Sequence, residues 1–385
     1  MLNFSFFCTF IQNINMKIFK LIFLSVFGLV LSVNAQDKQT EDIIRYLKNK
    51  QYNEAKKLSD ELIKDINYNK NSKLWFYRAM VYHNVYELHP ETEKNSIQTA
   101  YESYLKAMEF DSNKTYNNEI NKALGILANQ FVYEGVQLFN TENYALALEY
   151  FEKNLAIGSM PAFNQIDTVI MYNAALSAEK SGDLAKAVLY YEELIKLKFG
   201  GASVYNDLAK VFKNQGNIQK FISCSETGIR SFPDESFSLY SEIINYYLEK
   251  GDYNIAHEYT LRALQKFPES AGLHFISASL KETSGKTDLA EAEYKKTIEL
   301  DSAYTDAYFN LGSIYYNKGV DLLKKAMNKD DKNKADEFYK KAMEMYEEVY
   351  KLTPDNKETI KILSNLYAYL GMTEKLKQLQ EKEQK

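Results

Sequence analysis

A pattern of residues that recurs about every 34 positions constrains the fold of this chain more than any other feature. Ile244, Ala278 and Gly312 are each 34 residues apart and occupy equivalent places in helical stretches. Gly251 and Gly285 follow the first two of them by seven residues. A repeat of this length predicts helical hairpins that stack on one another. The pattern therefore indicates an all-α fold and makes an enzyme unexpected.

The segments between the turns have the spacing of amphipathic helices. Apolar residues recur at i, i+3, i+4 and i+7, which places them on one buried face. At the turns, Gly182, Gly216 and Gly251 are each followed by Asp or Asn. Glycine permits the left-handed backbone that ends a helix, and Asp or Asn caps the next one. The sequence thus predicts pairs of helices joined by short turns.

These units resemble tetratricopeptide repeats, a family with small residues at positions 8, 20 and 27, aromatic residues at 11 and 24, Gly at 15 and Pro at 32. The matching residues include Tyr247, Gly251, Ala256, Ala263 and Pro268 in one unit, and Ala175, Ala178, Gly182, Ala187 and Tyr191 in another. The resemblance covers roughly residues 37 to 384. It implies a right-handed superhelical solenoid of about eight to nine hairpins, which forms one domain over residues 36–385. It also implies that many tyrosines are packing residues: Tyr82, Tyr104, Tyr191, Tyr247, Tyr294, Tyr315 and Tyr346.

The first 35 residues have the pattern of a secretory signal peptide. Lys17 and Lys20 precede an apolar stretch over 21–33, and Val33-Asn34-Ala35 supplies small residues for cleavage. Residues 1–15 precede a second possible start at Met16. The alternative is an uncleaved membrane anchor, but the apolar stretch is shorter than the roughly 20 residues of a spanning helix. We therefore expect cleavage after Ala35, export across the inner membrane, and a periplasmic chain without a transmembrane segment.

Composition narrows the classes of partner. The formal net charge is −5, and loss of the two lysines of the signal peptide changes it to −7. Nucleic acids and anionic membrane surfaces attract clustered basic residues, so neither is an expected partner. The richness in Asn, Lys and Tyr resembles that of secreted proteins of Bacteroidetes-type bacteria. Cys224 is the only cysteine after residue 35; it is expected to pack as a small apolar residue, the alternative being an intermolecular disulfide.

One repeat unit contains a helical insertion near residues 318–341. Val320, Leu323 and Met327 share one helical face, and Phe338 and Met345 lie on the return segment. The pattern predicts longer helices that project as a hairpin. Its role remains open between a docking arm and a neutral extension.

Residues that could perform catalysis or bind a metal are not arranged in any recognisable motif. The four histidines are His83, His89, His257 and His274, and none lies at metal-ligand spacing such as HExxH. The sequence contains no nucleophile elbow, P-loop or dinucleotide fingerprint. We therefore predict no catalytic residues, no metal, no cofactor and no enzymatic activity. An enzyme of unfamiliar chemistry is the remaining alternative.

The resemblance implies a binding groove lined by the first helix of each repeat. Counting along the repeats gives the candidate groove residues Phe76, Tyr77, Tyr172, Asn206, Lys210, Asn245, Phe275, Phe309, Asn310 and Tyr316. The alternative for Phe275 and Phe309 is packing against neighbouring repeats. Family members that clamp a terminal carboxylate use Lys and Arg at set positions, and those residues are absent here.

The sequence therefore predicts a non-enzymatic scaffold of the cell envelope. Its expected partners are one or more envelope proteins or peptides, which bind in the groove. Amide side chains such as Asn245 can hold an extended backbone, and aromatic residues supply anchoring area. The alternative function is a peptidoglycan- or glycan-associated factor in which Phe275 and Phe309 stack on sugars.

Overall fold

The computed structural model describes residues 38–325 and 329–383, and this part of the chain contains eighteen α-helices. They are α1 (Lys38–Lys48), α2 (Tyr52–Leu62), α3 (Ser72–Leu88), α4 (Asn95–Phe110), α5 (Asn117–Asn140), α6 (Tyr144–Gly158), α7 (Thr168–Ser181), α8 (Leu184–Lys196), α9 (Gly201–Asn214), α10 (Ile218–Ser231), α11 (Phe237–Lys250), α12 (Tyr253–Lys266), α13 (Ala271–Thr283), α14 (Thr287–Leu300), α15 (Thr305–Lys325), α16 (Lys329–Leu352), α17 (Lys357–Tyr369) and α18 (Thr373–Glu383). Consecutive helices pair into nine hairpins. The predicted all-α repeat fold is confirmed.

The turns within the hairpins follow the residues that the sequence places there. Gly182 ends α7 with φ 87° and Gly251 ends α11 with φ 77°, a left-handed backbone that costs glycine little. The side chain of Asp183 then accepts a hydrogen bond from the backbone N–H of Lys186 at 3.1 Å. This bond satisfies an N–H group that the first turn of α8 would otherwise leave without a partner.

The hairpins of α7 with α8 and of α15 with α16 show how small residues pack beside a large aromatic ring. In α8, Ala187 and Tyr191 have no exposed surface, and the Tyr191 hydroxyl donates to Glu179 of α7 at 2.9 Å. Close packing at such positions leaves little room for added atoms. A Cβ atom at Gly312 of α15, for example, would lie 3.1 Å from the ring of Tyr346 in α16. The small residues of the repeat pattern therefore lie where the paired helices pack closely.

The tyrosines that the repeat resemblance assigns to packing positions are mostly buried. Six are at most 7% exposed: Tyr82, Tyr104, Tyr191, Tyr294, Tyr315 and Tyr346. Tyr247 is half-buried, and its ring stacks on that of Tyr259 with centroids 6.1 Å apart.

The chain divides into two compact units, which meet in sequence at Gly200 and Gly201. The first unit contains α1 to α8, and its larger apolar cluster surrounds Tyr104, Leu127 and Phe131. The second unit contains α9 to α18. One of its clusters extends from Ala278 to Leu379 along the chain and includes Tyr294, Leu311 and Tyr346. The prediction of one domain over residues 36–385 stays a prediction.

The hairpin of α15 and α16 is longer than its neighbours. These helices have 21 and 24 residues, against 13 or 14 in each of α9 to α14. The insertion predicted near 318–341 falls on the end of α15 and the start of α16. Ala335 and Tyr339 are buried there, so the added turns of α16 pack on their neighbours. Residues 326–328 lie outside the described residues.

No helix within residues 38–325 and 329–383 is both long enough and apolar enough to cross a membrane. The predicted signal peptide, residues 1–35 with the upstream extension 1–15, lies outside the described residues. Cys224 of α10 is half-buried, and its Sγ atom lies 3.6 Å from the backbone oxygen of Tyr205.

Candidate functional site

The candidate site in the second unit lies on the first helices of its hairpins, α9, α11, α13 and α15. One row of equivalent positions holds Asn206, Ser241, Phe275 and Phe309, and a second holds Lys210, Asn245, Ser279 and Ser313. These two rows are called the second-unit face. All of its side chains except that of Asn206 are half-buried or exposed. Packing of the hairpins therefore leaves most of this face accessible to a ligand.

The half of the second-unit face on α9 and α11 is polar and nearly balanced in charge. Lys213 donates to Glu242 at 2.6 Å, and the Nζ atom of Lys210 lies 3.5 Å from the same carboxylate. Asn206 is 8% exposed, and its Oδ1 atom is buried without a hydrogen-bond partner. Asn245 is exposed. This half offers amide groups, while Glu242 forms ion pairs with both lysines.

The half on α13 and α15 is aromatic. The ring of Phe275 stacks on Tyr304 with centroids 5.0 Å apart and packs against Tyr294 at 5.6 Å. The ring of Phe309 meets Tyr346 edge to face at 5.4 Å. Phe275 therefore contacts the next repeat, as in the alternative interpretation, whereas the contact of Phe309 lies within its own hairpin; each ring remains only half-buried. The accessible parts of these rings could contact a ligand.

Asn310 and Tyr316 lie beside these phenylalanines on α15 and are held by neighbouring tyrosines. The Nδ2 atom of Asn310 donates to the hydroxyl of Tyr294 at 3.1 Å. The ring of Tyr316 packs against Tyr339 with centroids 5.5 Å apart. Their orientations are fixed by the fold before any ligand binds.

Three predicted groove residues belong to the first unit instead. Phe76 of α3 is 5% exposed and stacks on Tyr116 with centroids 4.6 Å apart, so little of its ring is open to a ligand. Tyr77 and Tyr172 are half-buried. The ring of Tyr172 lies 6.1 Å from those of Tyr191 and Phe199. The ten predicted residues are thus distributed over two units, seven of them in the second.

The sequence reasoning missed a polar contact that recurs between successive hairpins. A tyrosine hydroxyl donates to a carboxylate of the preceding hairpin over 2.6 to 3.0 Å, and a Lys or Arg side chain joins them. We call each such group a Tyr–carboxylate lock. The five locks are Asp60 with Tyr82 and Arg78, Glu152 with Tyr190 and Lys186, Glu226 with Tyr259 and Arg262, Glu291 with Tyr315 and Lys318, and Glu347 with Tyr367 and Lys375.

The hydrogen bonds of the locks shift the pKa values of the carboxyl groups that accept them. Burial alone would raise the pKa of Glu291, but hydrogen bonds from Lys295, Lys318 and Tyr315 lower it to about 2. The hydrogen bonds from Arg262 likewise lower the pKa of Glu226. These carboxylates stay ionised under ordinary conditions, and their partners are within the protein. Their perturbed pKa values therefore have a structural explanation.

Two of the histidines have their surroundings and partners within the protein. His83 is fully buried in α3, and burial lowers its pKa to about 4. His274 lies with Nδ1 2.5 Å from Glu293 and Nε2 3.0 Å from the backbone oxygen of Pro268. Among the described residues, no three or more His, Cys, Asp or Glu side chains are grouped so that they could hold a metal ion.

Two segments match family models. Residues 169–199, which include the α7–α8 hairpin, match the tetratricopeptide repeat model, and residues 283–319 match a TPR repeat model. These two segments therefore have the sequence pattern of tetratricopeptide repeats. The matched segments fall in different units, so both units carry the repeat that the sequence resemblance predicted.

Similar proteins share this repeat. A TPR repeat-containing protein of Methanocaldococcus jannaschii is 24% identical over 224 residues, which cover 54% of this chain and 36% of that protein. The C-terminal part of a TPR repeat-containing protein from Cytophaga hutchinsonii is 16% identical, with a TM-score of 0.44 and coverage of 84% of this chain and 99% of that one. The first TPR of Spaghetti, bound to an HSP90 peptide, is 22% identical, with a TM-score of 0.28 and coverage of 35% and 93%. This chain spans about a third of the length of the Methanocaldococcus relative.

Tetratricopeptide repeats typically form non-enzymatic scaffolds and commonly mediate protein–protein interactions. The two matched segments of this chain are thus of a repeat type that commonly binds protein partners.

Proposed function

We propose that this chain is a non-enzymatic scaffold of the cell envelope, which binds a partner protein or peptide on the second-unit face. The observation that supports the proposal is the composition of that face, which changes along the repeats from amides to aromatic rings. Asn206 and Asn245 lie in its polar half, and Phe275 and Phe309 in its aromatic half. A ligand that crosses several hairpins would meet both kinds of surface.

The two halves suit different parts of a polypeptide. An asparagine side chain both donates and accepts hydrogen bonds, so it can pair with the backbone of an extended peptide. Asn245 is exposed, so its amide group is available for such pairing. Half-buried aromatic rings add apolar area for an anchoring side chain. A terminal carboxylate of a ligand would have to compete with Glu242, which already pairs with both Lys210 and Lys213.

The envelope location belongs to the proposal and rests on residues 1–35. Their basic start, apolar stretch and small residues before Gln36 are typical of a signal peptide. Mass spectrometry of the protein purified from its own cells would give the mature N-terminus. A terminus at Gln36 or Asp37 in a periplasmic fraction is expected. A chain that keeps its first 35 residues, or that is recovered from the cytoplasm, would refute this part.

Site-specific crosslinking in living cells tests the binding face. A photoreactive amino acid replaces Asn245 on the second-unit face or, as the control, Glu258, which is exposed on the second helix of the same hairpin. We expect position 245 to capture a specific envelope protein and position 258 to capture none. Equal yields of the same product from both positions would show that the face is not the site.

The glycan alternative is tested with the same face. Purified peptidoglycan is sedimented with the protein and with a variant that carries Phe275→Ala and Phe309→Ala. The scaffold proposal predicts that neither protein sediments in a saturable manner. Saturable sedimentation that the double variant loses would instead assign the aromatic half to sugars.

A further inference from the structure

Two hairpins of the second unit meet in the middle of the second-unit face. Asn245 of the polar half lies on α11, and Phe275 of the aromatic half lies on α13. We call the contact of α12 with α13 and α14 the joint after α12. Because this joint connects the hairpin of α11 and α12 to that of α13 and α14, it holds the two halves of the face together.

The joint after α12 differs from the next joint at the positions that form a lock there. Helices α12 and α14 have equal lengths and start 34 residues apart, and so do the starts of α13 and α15. In the next joint, Glu291 of α14 accepts a hydrogen bond from Tyr315 of α15 at 3.0 Å. The residues 34 positions earlier are His257 and Lys281. Two basic side chains therefore occupy the places of a carboxylate and a hydroxyl.

A second lock position on α12 also lacks an acid. Glu226 is the ninth residue of α10, and it accepts a hydrogen bond from Tyr259 of α12 at 2.8 Å. The ninth residue of α12 is Leu261, which is 42% exposed. Neither position of α12 that corresponds to a lock carboxylate thus supplies one to the following hairpin.

The carboxylate that lies near this joint belongs to α14 and has partners in its own hairpin. Glu293 accepts a hydrogen bond from Lys281 at 2.5 Å, and its other oxygen lies 2.5 Å from Nδ1 of His274. The Nδ1 atom of His257, by contrast, is buried without a hydrogen-bond partner. A protonated imidazole has two N–H donors, and a buried donor without an acceptor costs free energy. The closed joint therefore favours a neutral His257.

The charges around His257 act in the same direction. Burial, followed by the ammonium groups of Lys281 and Lys286, lowers its pKa, and the carboxylate of Glu293 opposes this effect. These groups of α13, α14 and the turn between them carry two positive charges and one negative charge. A proton on His257 would add a third positive charge to the joint.

Charged groups on the other helices that contact α12 have partners of their own or are exposed. They are Glu242 of α11, which pairs with Lys213, Lys250 of α11, which lies over the ring of Tyr246, Glu249 of α11, which is exposed, and Glu226 of α10, which pairs with Arg262. Within α12, Tyr253 and Leu261 lie one turn from His257 and are uncharged.

We propose that the joint after α12 is an acid-sensitive hinge, which opens when His257 takes up a proton. Opening hydrates the imidazolium and moves it away from Lys281 and Lys286. It also separates the amide half of the second-unit face from the aromatic half. A ligand that spans both halves would then lose one of them, so acid would release it; this last step rests on the proposed function.

The direction of the pH effect follows from the lowered pKa of His257. The open joint binds the proton with the ordinary affinity of histidine, and the closed joint binds it more weakly. The closed joint is therefore fully stable above pH 6.5 and loses stability as the pH falls below that value. The ratio of open to closed joints should rise by up to about tenfold between about pH 7.5 and pH 5.5.

Hydrogen exchange of the full chain without a ligand tests the hinge, because exchange of backbone amides reports local opening. Rates are corrected for the intrinsic effect of pH on exchange. We expect the protection of α12 and α13 to fall by up to about tenfold from pH 7.5 to pH 5.5, while that of α9 in the same unit stays constant. An equal fall in α9 would show a general effect of acid and overturn the proposal.

Three variants identify the residue that responds to pH. His257→Gln cannot take up a proton and should abolish the pH dependence of protection. His274→Gln makes the same change at the other histidine near the joint and should retain it. His257→Glu supplies a carboxylate at the position equivalent to Glu291 and should keep the joint closed at both pH values. An unchanged pH response of His257→Gln, or its loss in His274→Gln alone, would contradict the proposal.

The hinge and the proposed function can fail separately. Hydrogen exchange measures the opening of the joint in the free protein, whereas crosslinking at position 245 measures capture of a partner. If α12 and α13 respond to pH through His257 but position 245 captures no protein, the hinge is supported and the proposed function is wrong. If position 245 captures a partner and the exchange does not depend on His257, the hinge is wrong and the proposed function is supported.

Discussion

The charge of Glu291 should stabilise the second unit, and the free energy of this stabilisation follows from the shift in the pKa of its carboxyl group. Its side chain is 18% exposed and lies 2.7 Å from Lys318 and 2.6 Å from Lys295. The pKa falls from 4.5 to about 2 in the folded protein. At about 1.4 kcal/mol per pH unit, this corresponds to up to about 3 kcal/mol at neutral pH. Because the folded-state pKa is the lower one, the stabilisation is present above pH 4.5 and is lost as the pH falls towards 2.

The variant Glu291→Gln removes this charge and keeps the shape of the side chain. Urea unfolding at pH 7, followed by far-UV circular dichroism, should show a loss of up to about 3 kcal/mol. Hydrogen exchange should place the loss in α14 and α15. The control is Glu299→Gln in the same helix, where the carboxylate is 69% exposed and pairs with Lys296. Exposed pairs contribute at most about 1 kcal/mol.

The dependence on pH gives a second measure of the same effect. The difference between the wild-type protein and Glu291→Gln should shrink as the pH falls from 4.5 to 2, since the wild-type carboxylate then becomes protonated. If Glu291→Gln costs no more than Glu299→Gln at pH 7, or if the difference is unchanged at pH 2, the hydrogen bonds to Glu291 do not stabilise the fold as reasoned.

Three further predictions concern packing and burial. Gly312→Val should destabilise the protein by about 1–3 kcal/mol in thermal unfolding, because even a Cβ atom would lie 3.1 Å from Tyr346; Gly272→Ala, where no atom lies within 4 Å, should not destabilise it. His83 should stay neutral in NMR titrations down to about pH 4, because burial lowers its pKa. The free energy of unfolding should therefore decrease as the pH drops from 6.5 to 4. A titration midpoint of the His83 ring near pH 6.5 would contradict its burial. Phe275→Ala should lower the free energy of unfolding by about 2 kcal/mol or more through lost aromatic packing, and an unchanged stability would show that its contacts contribute little.

The sequence was sufficient to predict the hairpins because their turns and close contacts are local. Gly182 and Asp183 act within one turn, and Tyr191 meets Glu179 only twelve residues away. The Tyr–carboxylate locks could not be predicted in the same way. The separation of tyrosine and carboxylate varies from 20 residues between Glu347 and Tyr367 to 38 between Glu152 and Tyr190, so no fixed period reveals them.

The candidate binding residues, too, could be predicted from the sequence only in part. The equivalent positions of Asn245 and Phe309 follow from counting along the repeat, but their burial depends on neighbouring rings such as Tyr346. The connection from Ser159 to Asp167 folds back on α6 through a hydrogen bond from the backbone N–H of Gln165 to the oxygen of Gly158, and periodicity contains no information about such a segment. Counting along the repeat therefore gives the rows of the second-unit face but not the conformation of this connection.

The locks also have a mechanical consequence for the second unit. Glu226, Glu291 and Glu347 each connect a hairpin to the next one, but among the described contacts of α12 with α13 and α14 there is no lock of this kind. The Nδ1 atom of His257 is buried in α12 without a hydrogen-bond partner. If the two ends of this unit were pulled apart, the joint after α12 would have to resist the load without a lock among its described contacts. This joint should open first, so under force the unit should extend as two parts that separate between α12 and α13.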